Sequence, residues 1–422
     1  MRTQVTKLAN GVRVASCPMP HVQSVAVGVW AAVGGRHESR RLNGISHFIE
    51  HLLFKGTARR SARRIMQEIE GIGGDINANT AEERTCYYAS APHEYLPQVL
   101  DVLTDLYRHP RFSPADIELE RGVIHEEIQM YLDEPSQHVL ELLHEKFWPG
   151  QAIGRALTGT AESIAKFTRE DFAGYLGKHY QGAATIVTAA GNLDHGRLVE
   201  SVEKSLGGLV PGKRPASPPA RSLLSGPELH VVTRETQQTH VAVGLPGTSY
   251  RDPDRFAANL LHVMLGGNAS SRLFQELREK HGYCYSISTY PLFFSDTGML
   301  NLSIGLDARN LAKAFQLIGR QFARIREQLG SPAELKRAKE YTIGLSRMSM
   351  ERTSSQSSRI GQSLLAFGRV VDPEEIYAKI RAVTPDDIRR VAGKLLGPEG
   401  ACAVIIGPVK RDESLMRALM GK

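Results

Sequence analysis

The sequence predicts an α+β chain made of two copies of one α/β sandwich unit, each a mostly antiparallel sheet packed with helices. Three observations predict it. A proline- and glycine-rich stretch, Leu206-Gly207-Gly208-Leu209-Val210-Pro211-Gly212 running on to Pro215, Pro218 and Pro219, divides the 422 residues nearly in half. Prolines stiffen such a stretch, and glycines stop the neighbouring elements from continuing through it. Short segments then recur in order on either side. Val25-Ala26-Val27-Gly28 returns as Val241-Ala242-Val243-Gly244 at an offset of 216, and Ser113-Pro114-Ala115 as Ser331-Pro332-Ala333 at 218. Thr168-Arg169-Glu170-Asp171-Phe172 is answered by Thr384-Pro385-Asp386-Asp387-Ile388, again at 216. Three matches in order at nearly one offset mark a duplication. Finally, strand-like segments come first and helices follow in blocks. The expected domains are residues 1–206, a linker 207–227, and a second copy 228–422.

Within the first copy, residues 11–17 and 22–33 are rich in valine and bounded by Gly and Pro, as strands are. Thr85-Cys86-Tyr87-Tyr88-Ala89 alternates in the same way. Tyr95, Leu96, Val99, Leu100, Val102, Leu103 and Leu106 recur at helical spacing. Ser113 before Pro114 is an N-cap for a helix toward Leu132, and Thr185 to Ala190 is a buried strand that closes the copy.

Composition removes several function classes. No run of 18 apolar residues exists, which speaks against a membrane span. The net charge of +7 is spread over the chain, so it reads as solvated surface rather than a nucleic-acid or membrane footprint. Cys17, Cys86, Cys284 and Cys402 stand singly, which fits a reducing compartment and neither a disulfide framework nor a thiolate metal site. Arg2 and Lys7 precede the first acidic residue, Glu38, but no apolar leader follows them, and Leu8 to Val14 reads as a turn feeding a strand. The expected location is the cytoplasm.

The chemistry concentrates in His47-Phe48-Ile49-Glu50-His51. Residues four apart share one face of a helix, so both imidazoles can offer nitrogen to one metal. Glu50 can then accept a proton from water polarised there. This order, H-x-x-E-H, is the inverted zincin arrangement. A pair of core histidines beside a surface glutamate is the plain alternative. A third ligand is commonly a carboxylate. The segment Glu118 to Ile128 offers Glu120 and Glu127 on one face, with Glu126 turned away, but such charged stretches are also what solvated helices carry. Gly122 sits inside it, where close approach to another element would explain a residue that costs a helix about 1 kcal/mol against alanine.

Gly44, His47, Phe48, Glu50, His51 and Phe54-Lys55-Gly56-Thr57 resemble the signature of the insulinase/pitrilysin peptidases (family M16), including mitochondrial processing peptidase. Gly73-Gly74-Asp75-Ile76-Asn77-Ala78-Asn79-Thr80 resembles the substrate-binding edge strand of that family, and Glu120 to Glu127 its third-ligand helix. The resemblance spans the whole chain. It implies one Zn2+ per chain on His47, His51 and Glu127, with Glu50 as base and Glu120 as a supporting carboxylate. It also implies substrate held along Asn77, Ala78, Asn79 and Thr80.

The second copy has no H-x-x-E-H. Leu265-Gly266-Gly267-Asn268 stands where Glu50 would recur, and Leu345 where Glu127 would. It does carry Arg278 and Tyr285, seven apart, which match a family pair; the resemblance implies an oxyanion donor in Tyr285 and a backbone clamp in Arg278. This length is similar to the half-length class, which completes a closed chamber by dimerising. The expected function is a zinc metalloendopeptidase acting on unfolded peptides bound as an extended strand. Its expected assembly is a homodimer with the site shared between subunits, without nucleic acid or membrane as partner. The alternative is a non-catalytic or partner-dependent subunit of a heterodimeric processing peptidase. Asp133, Glu134 and Glu141 give a weak leaning toward basic peptides.

Overall fold

A computed structural model describes residues 3–328 and 331–421; Arg2 lies outside them. The chain forms two compact units, residues 1–129, 155–218 and 347–371 in the first, and 130–154, 219–346 and 372–422 in the second. No residue of 207–227 is helix or strand, and the chain passes from one unit to the other at Pro218. Each unit also takes in a segment from the other half of the sequence.

The first unit is built on β1 (Gln4–Lys7), β2 (Arg13–Pro18), β3 (Ser24–Ala31), β4 (Asp75–Thr80), β5 (Thr85–Pro92) and β6 (Thr185–Gly191), in the spatial order β1-β2-β6-β3-β5-β4. Only β2 and β6 pair in parallel. The alternation of Val25, Val27 and Val29 sends every second side chain to one face, where Ile45, Phe48, Ile49 and Leu52 of the helix Ile45–Leu53 meet Val99, Leu103 and Leu106 of the helix Leu96–Arg108. The opposite face presents Ala15, Cys17, Trp30, Cys86, Ile186 and Ala190, covered by Ile360, Leu364 and Leu365 of the helix Thr353–Phe367. That helix comes from the second half of the sequence. A β-carbon at Gly361 would stand 2.3 Å from the Trp30 ring, so glycine is what admits the contact. The Trp30 indole N–H donates to Thr188 Oγ1 at 2.9 Å, and Thr188 in turn bonds Ser357 Oγ at 2.8 Å.

The second unit repeats the plan with β7 (Glu228–Thr233), β8 (Thr239–Pro246), β9 (Cys284–Phe293), β10 (Gly298–Leu306) and β11 (Cys402–Gly407), ordered β7-β11-β8-β10-β9. β7 and β11 are its parallel pair. The repeated Val-Ala-Val-Gly segments occupy β3 and β8, the strands flanked by β6 and β5 in one sheet and by β11 and β10 in the other. Here the covering helix is Pro135–Phe147, from the first half of the sequence: Val139, Leu143 and Phe147 pack on Ala242, Met299, Cys402 and Val404.

Candidate zinc site

The helix Ile45–Leu53 and the 20-residue helix Pro114–Asp133 carry the site. On the second, Ile117, Ile124 and Ile128 are buried at helical spacing with Glu120 among them. Burying that stripe turns Glu127, at intermediate burial, toward the histidine helix. Arg121 locks the approach: it donates to the carbonyls of Ile164 and Phe167 and sits 5.8 Å over the Phe48 ring.

His47 Nε2 and His51 Nε2 each lie 3.6 Å from the same oxygen, Glu127 Oε2. One ligand atom from each of the three residues falls within 4.8 Å of the others. These separations are longer than hydrogen bonds. The two 3.6 Å separations match a tetrahedral zinc site, where ligand atoms about 2.0–2.2 Å from the metal stand roughly 3.3–3.6 Å apart. The donor set of two imidazoles and a carboxylate is of the kind zinc takes, so these residues fit the metal. Burial, with the neighbouring His51 adding to it, pushes His47 down to about 4, so its ring is neutral at pH 7, as a ligand must be.

Around the three lies a second layer. His51 Nδ1 faces Glu120 Oε2 at 3.0 Å, which fixes the tautomer and leaves Nε2 for the metal. Lys55 Nζ holds the other Glu120 oxygen at 2.6 Å. Burial alone would raise the Glu120 carboxyl, but His51 and Lys55 outweigh it and keep it below its ordinary range. Lys55 lay within the motif read from the sequence, yet nothing in the motif said what it touches. Glu50, one turn on from His47, is raised by burial, with Thr80 opposing part of that, and among the described residues its Oε2 has no protein partner.

Thr80 ends β4, an outer strand of its sheet. Asn77, Ala78 and Asn79 precede it with exposure alternating along the strand, so the segment expected to hold substrate is an edge that ends beside Glu50. Arg278 and Tyr285 lie in the second unit. A π-helical segment, Phe274–Lys280, places the Arg278 guanidinium 4.7 Å over the Phe274 ring and 5.3 Å over that of Tyr285, the second residue of β9, which is 77% exposed. Gly122 departs from expectation. A β-carbon there would meet nothing within 4 Å, so close approach does not account for it.

A family model described as insulinase (peptidase family M16) matches residues 13–161, and one described as peptidase M16 inactive domain matches 166–341. The chain belongs to peptidase family M16. A protein of Streptomyces coelicolor named as an uncharacterized zinc protease is 36% identical to this M16 chain, over 97% of it and 90% of the relative. Another of that description, from Bacillus subtilis, is 35% identical over 94% and 96%. The crystal structure of a protease from Helicobacter pylori superposes with a TM-score of 0.90 at 21% identity, covering 96% of this M16 chain and 99% of that one, which shows a shared two-domain fold. Among the described residues of this M16 chain, no helix is long and apolar enough to cross a membrane.

Proposed function

We propose that this chain is a zinc metalloendopeptidase of the inverted zincin type, cleaving unfolded peptides laid as an extended strand along β4. The observation that carries this reading is the convergence of His47 and His51 on Glu127, with Glu50 on the same helix facing the end of an outer strand. Zinc, when bound, supplies Lewis acidity that brings the pKa of water from 15.7 toward about 7. The remaining work falls to the chain. Main-chain groups on the outer side of Asn77 to Thr80 bind a peptide backbone by strand addition, the Ala78 N–H exchanging its bond to Asn77 Oδ1 for one to the peptide, which recognises unfolded chains rather than a particular side chain. Glu50 takes the proton of the attacking water and returns it to the leaving amine. Glu120 and Lys55 keep His51 oriented.

Tyr285 is the donor to the oxyanion and Arg278 the clamp on the substrate backbone, in a homodimer in which one subunit's second copy completes its partner's site and a closed chamber. The strong exposure of Tyr285 supports such a role. The test is hydrolysis of a quenched, unstructured basic peptide by zinc-loaded wild type and Glu50→Gln protein. The variant should keep its zinc and lose about 10²–10⁴-fold in kcat. Equal null rates in zinc-loaded protein would transfer the reading to a partner-dependent subunit. A mixture of Glu50→Gln and Tyr285→Phe chains should regain activity; no recovery after verified subunit exchange rejects the shared site.

A further inference from the structure

The histidine helix has an unusual beginning. Its first position follows Gly44, which stands at φ +95° with the backbone of Thr158 and Gly159 pressed against it; an added β-carbon would lie 2.7 Å from Thr158 O and from Gly159 Cα. Only glycine fits there. Glycine has no side chain, so the residue that would ordinarily accept from the first free N–H groups of a helix cannot do so.

Glu38 takes that place from outside the helix. The Gly44 N–H donates to Glu38 Oε2 at 2.7 Å and the Ser46 N–H to Oε1 at 2.9 Å, while Asn43 Nδ2 donates to Oε2 at 3.3 Å. Glu38 is buried, at 4% exposure. Among the described residues no cation forms an ion pair with its carboxylate, and Arg155 donates to the Glu38 carbonyl instead. Both carboxylate oxygens are thus spent on the entry to this helix, at the positive end of its dipole. Burial raises the Glu38 carboxyl, and the bonds from Ser46 and Gly44 oppose it. Ser46 is adjacent to His47, so the register in which the carboxylate seizes the first turn also sets where His47 and His51 point.

We propose that Glu38 is a positioning residue of the metal site: it holds the first turn of the Ile45–Leu53 helix so that His47 and His51 converge on Glu127. This rests on the zinc reading of the site. An amide in place of the carboxylate would set an N–H₂ against one of the two backbone N–H groups. In Glu38→Gln, zinc affinity, measured by competition with a chromogenic chelator, should fall by about 10–100-fold, the range for outer residues that orient ligands. The Ser46 amide should exchange faster with solvent, and kcat at saturating zinc should drop with KM unchanged. Asn43→Ala, which removes one supporting bond to Glu38 together with the bond to the Ala156 carbonyl but leaves both backbone bonds to the carboxylate, should shift affinity in the same direction by a smaller factor. Wild-type zinc affinity in folded Glu38→Gln, whatever its melting temperature, overturns the proposal. If that variant does not fold, wild-type affinity in Asn43→Ala overturns it. Zinc competition needs no peptide cleavage, so this test stands apart from the peptidase reading; a wild-type chain that binds no zinc defeats the site itself.

Discussion

The two units answer the same packing problem in different ways. In the first, the helix after β3 approaches outer strand β4 with Glu50 at the junction, and a buried carboxylate oxygen is left without a protein partner among the described residues. In the second, the helix Arg255–Gly266 after β8 meets the outer strand β9 through glycine. A β-carbon at Gly266 would stand 2.9 Å from the Thr289 backbone nitrogen, and Thr289 Oγ1 is already bonded to His262 Nδ1 at 3.0 Å. Leu345, 45% exposed, occupies the position that corresponds to Glu127. One copy brings a carboxylate to the junction of helix and edge; the other meets its edge through glycine. The three residues that converge in the first unit sit on two helices, and the second copy has kept the helices while holding neither the histidine pair nor the carboxylate at the corresponding positions.

Substitutions that erase or restore the difference test this comparison. The largest effect belongs to His51→Ala, which removes a proposed ligand and leaves Glu120 and Lys55 facing each other; bound zinc, measured by atomic absorption after dialysis, should fall from the proposed one per chain to none. Glu120→Gln keeps all three ligands but weakens the hold on His51, and should cost about 10–100-fold in zinc affinity by chelator competition. Gly266→Ala forces a methyl group into the junction of the second unit. It should destabilise by about 1–3 kcal/mol in denaturant titration, with zinc binding untouched. Smallest is Leu345→Glu, which returns a carboxylate to the corresponding helix position on an exposed surface. It should change stability by less than about 0.5 kcal/mol and create no second zinc equivalent. A second equivalent would show that a carboxylate at this position can hold a metal without the histidine pair.

The sequence was most informative where a pattern is local. Valine-rich β3 and β8, the apolar stripe of Leu96–Arg108 and the i, i+4 histidines all follow from side-chain period alone. Spacing alone leaves Glu127 one of several acidic residues on its helix; the family resemblance singles it out, and the burial of Ile117, Glu120, Ile124 and Ile128 turns its face toward the histidine helix. The helix exchange was not legible: an apolar stripe such as Val139, Leu143 and Phe147 says that a helix must pack, not which sheet receives it. Glu38 was equally silent, since a cap reaching across six to eight residues has no spacing signature. A glycine inside a helix, as at Gly122, predicts a close contact that the described residues do not supply.

The exchange has a consequence for how the chain is made. Synthesis runs from the N-terminus, and domains ordinarily fold as they emerge. All the zinc-site residues proposed for the first unit are available once Glu127 has been translated, but the side of the sheet carrying Trp30, Cys86 and Ile186 has no cover until Ile360 and Leu364 emerge, more than 200 residues later. From the completion of β6 at Gly191 until the helix bearing Ile360 and Leu364 is made, the sheet of the first unit therefore lacks the side chains that cover this face in the folded chain. Truncation anywhere before the helix Thr353–Phe367 leaves that surface exposed for good.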